Sequence, residues 1–112
     1  MAYSINITRS AHSDILSAYR HISVMLQNQK AADDLLDAVS HTIRSLSEYP
    51  ERYGPVSDPV LRSWNIRSVR IRNYIVFYTI DDQKKAVFIT RFLYFRRNWS
   101  SILVDDDPRP EE

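Results

Sequence analysis

Cysteine is absent from this sequence, so it holds no disulfide framework and no thiolate metal site, and nothing in it asks for an oxidising compartment. Glycine occurs once, at Gly54, which excludes the glycine-rich phosphate loops of nucleotide hydrolases and dinucleotide enzymes. No nucleophile elbow and no zincin helix motif is present either. No run approaches the roughly 18 apolar residues of a membrane span. The opening MAYSINITRS does not pair a charged stretch with a long apolar one, as a signal peptide would. The expected location is therefore the cytoplasm, with no membrane partner. Histidine appears only as His12, His21 and His41, and no two stand at a metal-ligand spacing on one helix face, so neither metal nor other cofactor is expected.

What remains is a single-domain chain of 112 residues, 44% hydrophobic and 12% aromatic. Its net charge of +1 conceals a strong asymmetry. Residues 1–61 carry five basic and seven acidic side chains, a balance of −2. Residues 62–97 carry nine basic side chains against Asp81 and Asp82, a balance of +7, and the residues from Asn98 onward carry one against five, a balance of −4. Seven of the nine central cations are arginine, the side chain suited to bidentate contact with phosphate or carboxylate. An anionic partner is expected there.

Hydrophobic periodicity gives the architecture. YSINI (Tyr3–Ile7) alternates and reads as a short strand. Ser10 then caps a helix whose apolar stripe is Ala11, Ile15, Ala18, Tyr19, Ile22 and Leu26. After a break at residues 27–29, a second helix buries Ala32, Leu35, Leu36, Val39, Ile43 and Leu46 and stops at Pro50. Asp33, Asp34 and Asp37 fall in its first turns, where carboxylates favour the helix dipole, a simpler account than a cation site. Residues 51–59 read as an irregular connection. The period then changes to two: WNIRSVRI, NYIVFYTI and KAVFITRFLYF are strands, joined by turns at Arg72-Asn73 and at Asp81–Lys84. NWSSIL makes one further helical turn begun by Asn98. The expected fold is α+β: an N-terminal strand, an antiparallel helical hairpin, a three-strand antiparallel meander and a short C-terminal helical turn. Residues 1–104 form the one domain, and 105–112 an acidic, mobile tail. Both long helices are expected on one sheet face. The opposite face would carry several of Arg67, Arg70, Arg72 and Arg91 beside Tyr74, Tyr78 and Tyr94.

Such an aromatic and basic sheet could stack bases and neutralise a backbone. RFLYF, however, has no glycine where an RNA-recognition strand needs one, and the strand order does not fit that fold. Phe92 and Tyr94 share a parity, so only one of the pairs Phe92/Tyr94 and Leu93/Phe95 can face the helices.

The succession YSINIT, A-x-x-D-I, a helical hairpin ending in L-x-x-x-P at Leu46–Pro50, then IRSVRIRNYIVFYTID and VFITRFLYFRRNW, resembles the RelE/ParE toxins of bacterial type II toxin-antitoxin systems, also called plasmid stabilisation proteins. The likeness runs from about Tyr3 to Leu103. Its most specific parts are N-Y-x-x-x-Y-x-I at Asn73–Ile80 and R-x-L-x-x-R-R-N-W at Arg91–Trp99. The resemblance implies a growth-arresting toxin, held in a hetero-oligomer by a cognate antitoxin and meeting operator DNA only through it. The implied target is either DNA gyrase, for ParE-like members, or mRNA on the ribosome, for RelE-like ones.

In RelE-like nucleases an arginine usually follows the aromatic that matches Tyr74, and here Ile75 stands there; some relatives carry a histidine where Leu93 stands. Metal-free RNA cleavage needs a base, an acid and cations around the phosphate. The residues left for it are Arg97, Tyr94 and Arg96, with Arg67, Arg70, Arg72 and Arg91 as target or phosphate contacts. Tyr74, Tyr78, Arg91 and Trp99 are the expected antitoxin contacts. The incomplete nuclease set tilts the reading toward a gyrase poison. The alternatives are a ribosome-dependent mRNA endoribonuclease and a non-toxic member that only binds antitoxin.

Overall fold

A computed structural model describes residues 2–106. The chain runs β1 (Ser4–Ile7), α1 (Arg9–Arg20), α2 (Gln29–Ser45), α3 (Pro59–Ser63), β2 (Arg67–Ile71), β3 (Tyr74–Asp81), β4 (Ala86–Tyr94) and α4 (Trp99–Asp105). This is the expected α+β order, with α3 added. The four strands form one sheet in the order β1-β4-β3-β2. β2, β3 and β4 make the antiparallel meander, and β1 lies parallel to β4 with Ser4 opposite Ala86 and Ile7 opposite Ile89.

The hairpin of α1 and α2 covers one sheet face. Ala11 and Ala18 of α1 and Leu35, Val39 and Ile43 of α2 are buried against Val69, Ile71, Val76, Tyr78, Val87, Ile89 and Phe92. Small alanines on α1 let that helix sit close to the sheet, where apolar burial returns about 25 cal/mol per Å². The apolar stripe is narrower than its periodicity suggests: Leu26 is 59% and Leu36 40% exposed. The cap of α1 is Thr8, not Ser10. Its hydroxyl accepts from Ala11 N at 3.2 Å and donates to Thr90 O at 3.0 Å, tying the helix start to β4. A π-helical turn at His21–Met25 ends the first helix, and Gln27 at φ 50° turns the chain.

The opposite sheet face is not the open basic platform expected from alternation. Its central positions are Ile75, Phe77 and Leu93, which no stable sheet leaves in water. α3 and α4 cover them with Leu61 and Leu103, joined by Val56 and Ile66. α3 falls in the stretch read as a connection running into a strand; Asp58 caps it by accepting from Val60 N and Leu61 N, with Pro59 at its first position. Strand β2 therefore starts at Arg67 and not at Trp64. α4 is capped by Asn98, as expected, and extends through Asp105, the first residue assigned to the acidic tail. Asp106 follows it as the helix cap, and 107–112 of that tail lie outside the described residues.

Candidate functional site

Strand parity and one irregularity decide where the basic residues go. Between Phe77 and Tyr78 the register with β4 shifts, because Thr90 is an extra residue there; its buried hydroxyl donates to Phe77 O at 2.9 Å. Beyond this bulge β1 has ended, so the outer edge of β4 would face solvent unpaired. Asp14 of α1 closes it. Its carboxylate accepts from Phe92 N at 3.1 Å and from Arg91 Nε and Nη2 at 2.6 and 3.1 Å.

Arg91 is consequently a structural residue rather than a free contact for phosphate or antitoxin. Its side chain is 12% exposed, and its remaining nitrogen meets Asp106 at 3.3 Å. The hydrogen bonds to Asp14 raise its pKa above the usual arginine value, against the opposing cost of burial. Tyr78 is likewise held by the fold. It is fully buried under the hairpin and donates to Pro50 O at 2.6 Å, so no partner reaches it on this fold. Burial, partly offset by Arg67, pushes its phenol up to about 12.

Other expected residues also serve the fold. Arg67 donates to Tyr53 O at 2.6 Å and Glu51 O at 3.4 Å, pinning the connection before α3. Arg70 donates to Arg72 O at 2.7 Å, and its guanidinium lies 3.9 Å from the centre of the Phe95 ring; that of Arg96 lies 4.9 Å away. Trp99 is half-buried, with its ring 5.4 Å from Phe77 in the second core. None of these contacts was legible from alternation, which places side chains on faces but not over strand edges.

The structure does gather Tyr74, Tyr94, Arg72 and Arg97. They line an open cleft of about 790 Å³ between the turn of the hairpin and the end of the sheet. Tyr74 stacks on Phe92 at 4.9 Å with the rings nearly parallel, and Tyr94 meets it edge-on at 5.6 Å. Ala18, Ile22, Leu26 and Leu35 form the helical wall, with His21 and Asn28 at its turn. Arg72 occupies a left-handed backbone conformation, φ 55°, in the two-residue turn between β2 and β3, and it stands exposed at the rim. Neither Arg72 nor Arg97 forms an ion pair among the described residues. The carboxylates on the wall are engaged, Asp14 with Arg91 and Asp34 with Lys30. Burial raises the pKa of Tyr74, with a smaller push from Tyr94, which suits it to donate a hydrogen bond and not to act as a base. His21, Ile22 and Leu26 of this cleft were not singled out from sequence as site residues; the exposure of an apolar helix turn was the signal available.

This cleft is thus an aromatic floor with two available guanidinium groups, suited to a segment that brings a carboxylate or phosphate beside an apolar group. Among the described residues no helix is long and apolar enough to cross a membrane.

No curated protein sequence matches this chain. Solved structures with a similar fold include the toxin-antitoxin complex RelBE2 of Mycobacterium tuberculosis, at 24% identity and TM-score 0.61, covering 84% of this chain and 92% of that one. A chromosomal ParDE toxin-antitoxin system of P. aeruginosa is similar at 15% identity and TM-score 0.65, covering 83% and 96%. A mutant of the E. coli toxin RelE in the free state is similar at 16% identity and TM-score 0.59, covering 95% and 98%. The family model for the ParE toxin of the parDE type II toxin-antitoxin system matches residues 5–99, nearly the whole described fold, and the chain accordingly belongs to the ParE toxin family.

Proposed function

We propose that this toxin arrests bacterial growth by binding DNA gyrase, without cutting RNA, and that a cognate antitoxin silences it. The observation that carries the reading is the occupation of the basic residues. Of the arginines in the central +7 segment, Arg91 is locked to Asp14, Arg67 to backbone carbonyls, and Arg70 to Arg72 O and the Phe95 ring. The two positions where RelE-like nucleases resemble one another in carrying polar groups hold Ile75 and Leu93, both packed in the second core. A phosphate in transit needs several converging cations and a competent base, and burial raises the pKa of Tyr74, away from a base's range. A rigid two-sided domain with a groove for an anionic-apolar segment is better suited to engage a protein.

The endoribonuclease reading keeps one specific support: Tyr94 and Arg97 line the same cleft, and Tyr94 is 38% exposed. Arg96 lies against Phe95, outside that group. The test uses purified toxin with gyrase and DNA. Accumulated gyrase-DNA cleavage complexes, relieved by antitoxin, are expected; ribosome-bound mRNA cut at codon positions, with gyrase unaffected, would overturn the proposal.

A further inference from the structure

A sheet exposes two edges, and this fold closes most of both with its own chain. Outside β2, Pro55 bridges to Arg67, Ser68 N donates to Gly54 O at 3.4 Å, and the Arg67 guanidinium donates to Tyr53 O at 2.6 Å. Outside β4, beyond its bulge, stands the Asp14 carboxylate. β1 is the exception. Ser4 N donates to Lys85 O and Thr8 N to Ile89 O, both across to β4, and along a parallel strand the residues bonded to one neighbour alternate. The backbone groups of Ile5 and Ile7 therefore point outward, and they meet no partner among the described residues.

Open edge strands are ordinarily guarded by lysine, proline or a bulge. β1, Ser-Ile-Asn-Ile, is short but has none of these. Its two isoleucines share a face with the helical hairpin, where they line an apolar groove of about 690 Å³ with Ile15 and Leu16 of α1 and Leu36 and Val39 of α2. Ile7 is 46% exposed, and Leu16 and Leu36 are each 40% exposed, a group of large side chains that the fold itself does not cover. Arg44 is the one fixed charge on the lining, so this groove, unlike the cleft, does not select an anionic segment. What it suits is a short apolar strand with outward amides of its own, and β1 of a second copy is such a strand.

We propose that two copies of this chain pair through β1, antiparallel about Asn6, to form one continuous sheet. Parity fixes the register. Only outward-facing residues can exchange both backbone hydrogen bonds in an antiparallel pair, so Ile5 of one copy stands opposite Ile7 of the other, and Ile7 opposite Ile5. Setting Ile7 opposite Ile7 would put Ile5 against the start of α1, and setting Ile5 opposite Ile5 would put Ile7 against Tyr3, whose N–H is taken by Ser47 O at 2.8 Å. The favoured register is self-complementary under a two-fold axis, brings β-branched side chains together over the groove, and sets Asn6 opposite its own copy on the other sheet face. No residue lines both the groove and the cleft, so the strand pairing leaves both clefts open. The proposal does not depend on the target, and its failure leaves the gyrase reading untouched.

The test uses the full chain without antitoxin. A seam of one short strand lies at the weak end of specific association, so sedimentation equilibrium should show a dimer forming at about 10–100 μM. Apolar contacts should leave it no weaker at about 0.5 M salt. Ile7→Lys should weaken association roughly tenfold or more, because each dimer loses two isoleucines from the seam, while Tm should change little, since Ile7 is already half exposed. Because the chain has no cysteine, Asn6→Cys and Ser4→Cys, both at exposed positions, report the register separately. In the proposed pairing the two Asn6 Cα atoms lie about 4.5 Å apart, within disulfide reach, whereas the two Ser4 positions are about 13 Å apart. Air oxidation should therefore join two copies of the Asn6→Cys protein but not of the Ser4→Cys protein. A chain that stays monomeric at about 1 mM, or a dimer that Ile7→Lys leaves intact, overturns the proposal, as does equal cross-linking at both positions. A monomer whose Ile5 and Ile7 amides gain exchange protection only when antitoxin is added gives the edge to that partner and likewise overturns it.

Discussion

Replacing Asp14 by alanine tests how the fold closes the free edge of β4. The substitution removes the acceptor of three hydrogen bonds, from Arg91 Nε at 2.6 Å, Arg91 Nη2 at 3.1 Å and Phe92 N at 3.1 Å. Two of these come from a charged donor, and the pair is largely enclosed, with side chains 12% and 17% exposed. Breaking a buried pair by deleting one partner costs about 3–5 kcal/mol. Partial exposure, and the contact Arg91 keeps with Asp106 at 3.3 Å, argue for the lower end, about 3 kcal/mol. For a domain near this size, 1 kcal/mol moves Tm by about 4–5 °C, so a fall of roughly 13 °C is expected. Scanning calorimetry and urea unfolding measure it. A double-mutant cycle with Arg91→Ala should return a coupling of about 2 kcal/mol, since deleting Asp14 matters less once Arg91 is gone. A Tm loss below about 3 °C with coupling near zero would refute the edge-closing role.

Tyr78→Phe should cost about 1–3 kcal/mol by leaving Pro50 O without its buried donor, read as a shift in the urea midpoint. Because the folded phenol is raised to about 12 while the unfolded one stays near 10, its contribution is fully present below pH ~10 and is lost as pH rises through ~12. Alkaline unfolding of the wild type should be steeper in that window than that of Tyr78→Phe, and identical pH profiles would contradict the assignment. Gln27→Gly should raise stability by about 0.5–1 kcal/mol, because Gln27 sits at φ 50° where a side chain is strained, and a lower Tm would count against it. Arg97→Ala should leave stability within about 0.5 kcal/mol, since its side chain is exposed and makes no ion pair among the described residues; a larger loss by calorimetry would show a contact the cleft geometry does not contain. Antitoxin binding, measured by titration calorimetry, should weaken as salt rises, and salt-independent affinity would argue against an electrostatic interface.

Period and turn chemistry made most of the scaffold legible: two amphipathic helices, the Arg72-Asn73 turn and the Asn98 cap lie where their residues indicate, while the turn expected at Asp81–Lys84 falls one residue later, at 82–85, with Asp81 still paired in β3. α3 was legible too, in the Asp58-Pro59 pair, but five residues are too few to show a period. The second core was hidden for a different reason. Alternation says that Ile75, Phe77 and Leu93 share a face but not that α3 and α4 return to cover it. For the site, Tyr74, Tyr94, Arg72 and Arg97 do converge, whereas Tyr78 and Arg91 turn inward. The bulge at Thr90 and the carboxylate of Asp14, distant from Arg91 in sequence, decide the fate of Arg91, and neither leaves a local signature. Charge counting located the basic third of the chain but could not tell which of its cations the fold itself would use.

The most direct test of the gyrase reading is to induce this protein alone in bacteria and, in the same culture, follow an SOS reporter and map mRNA 5′ ends. The account predicts SOS induction and filamentation with messages intact. Clean cuts at codon positions without SOS induction would contradict it and restore Arg97 and Tyr94 as catalytic residues.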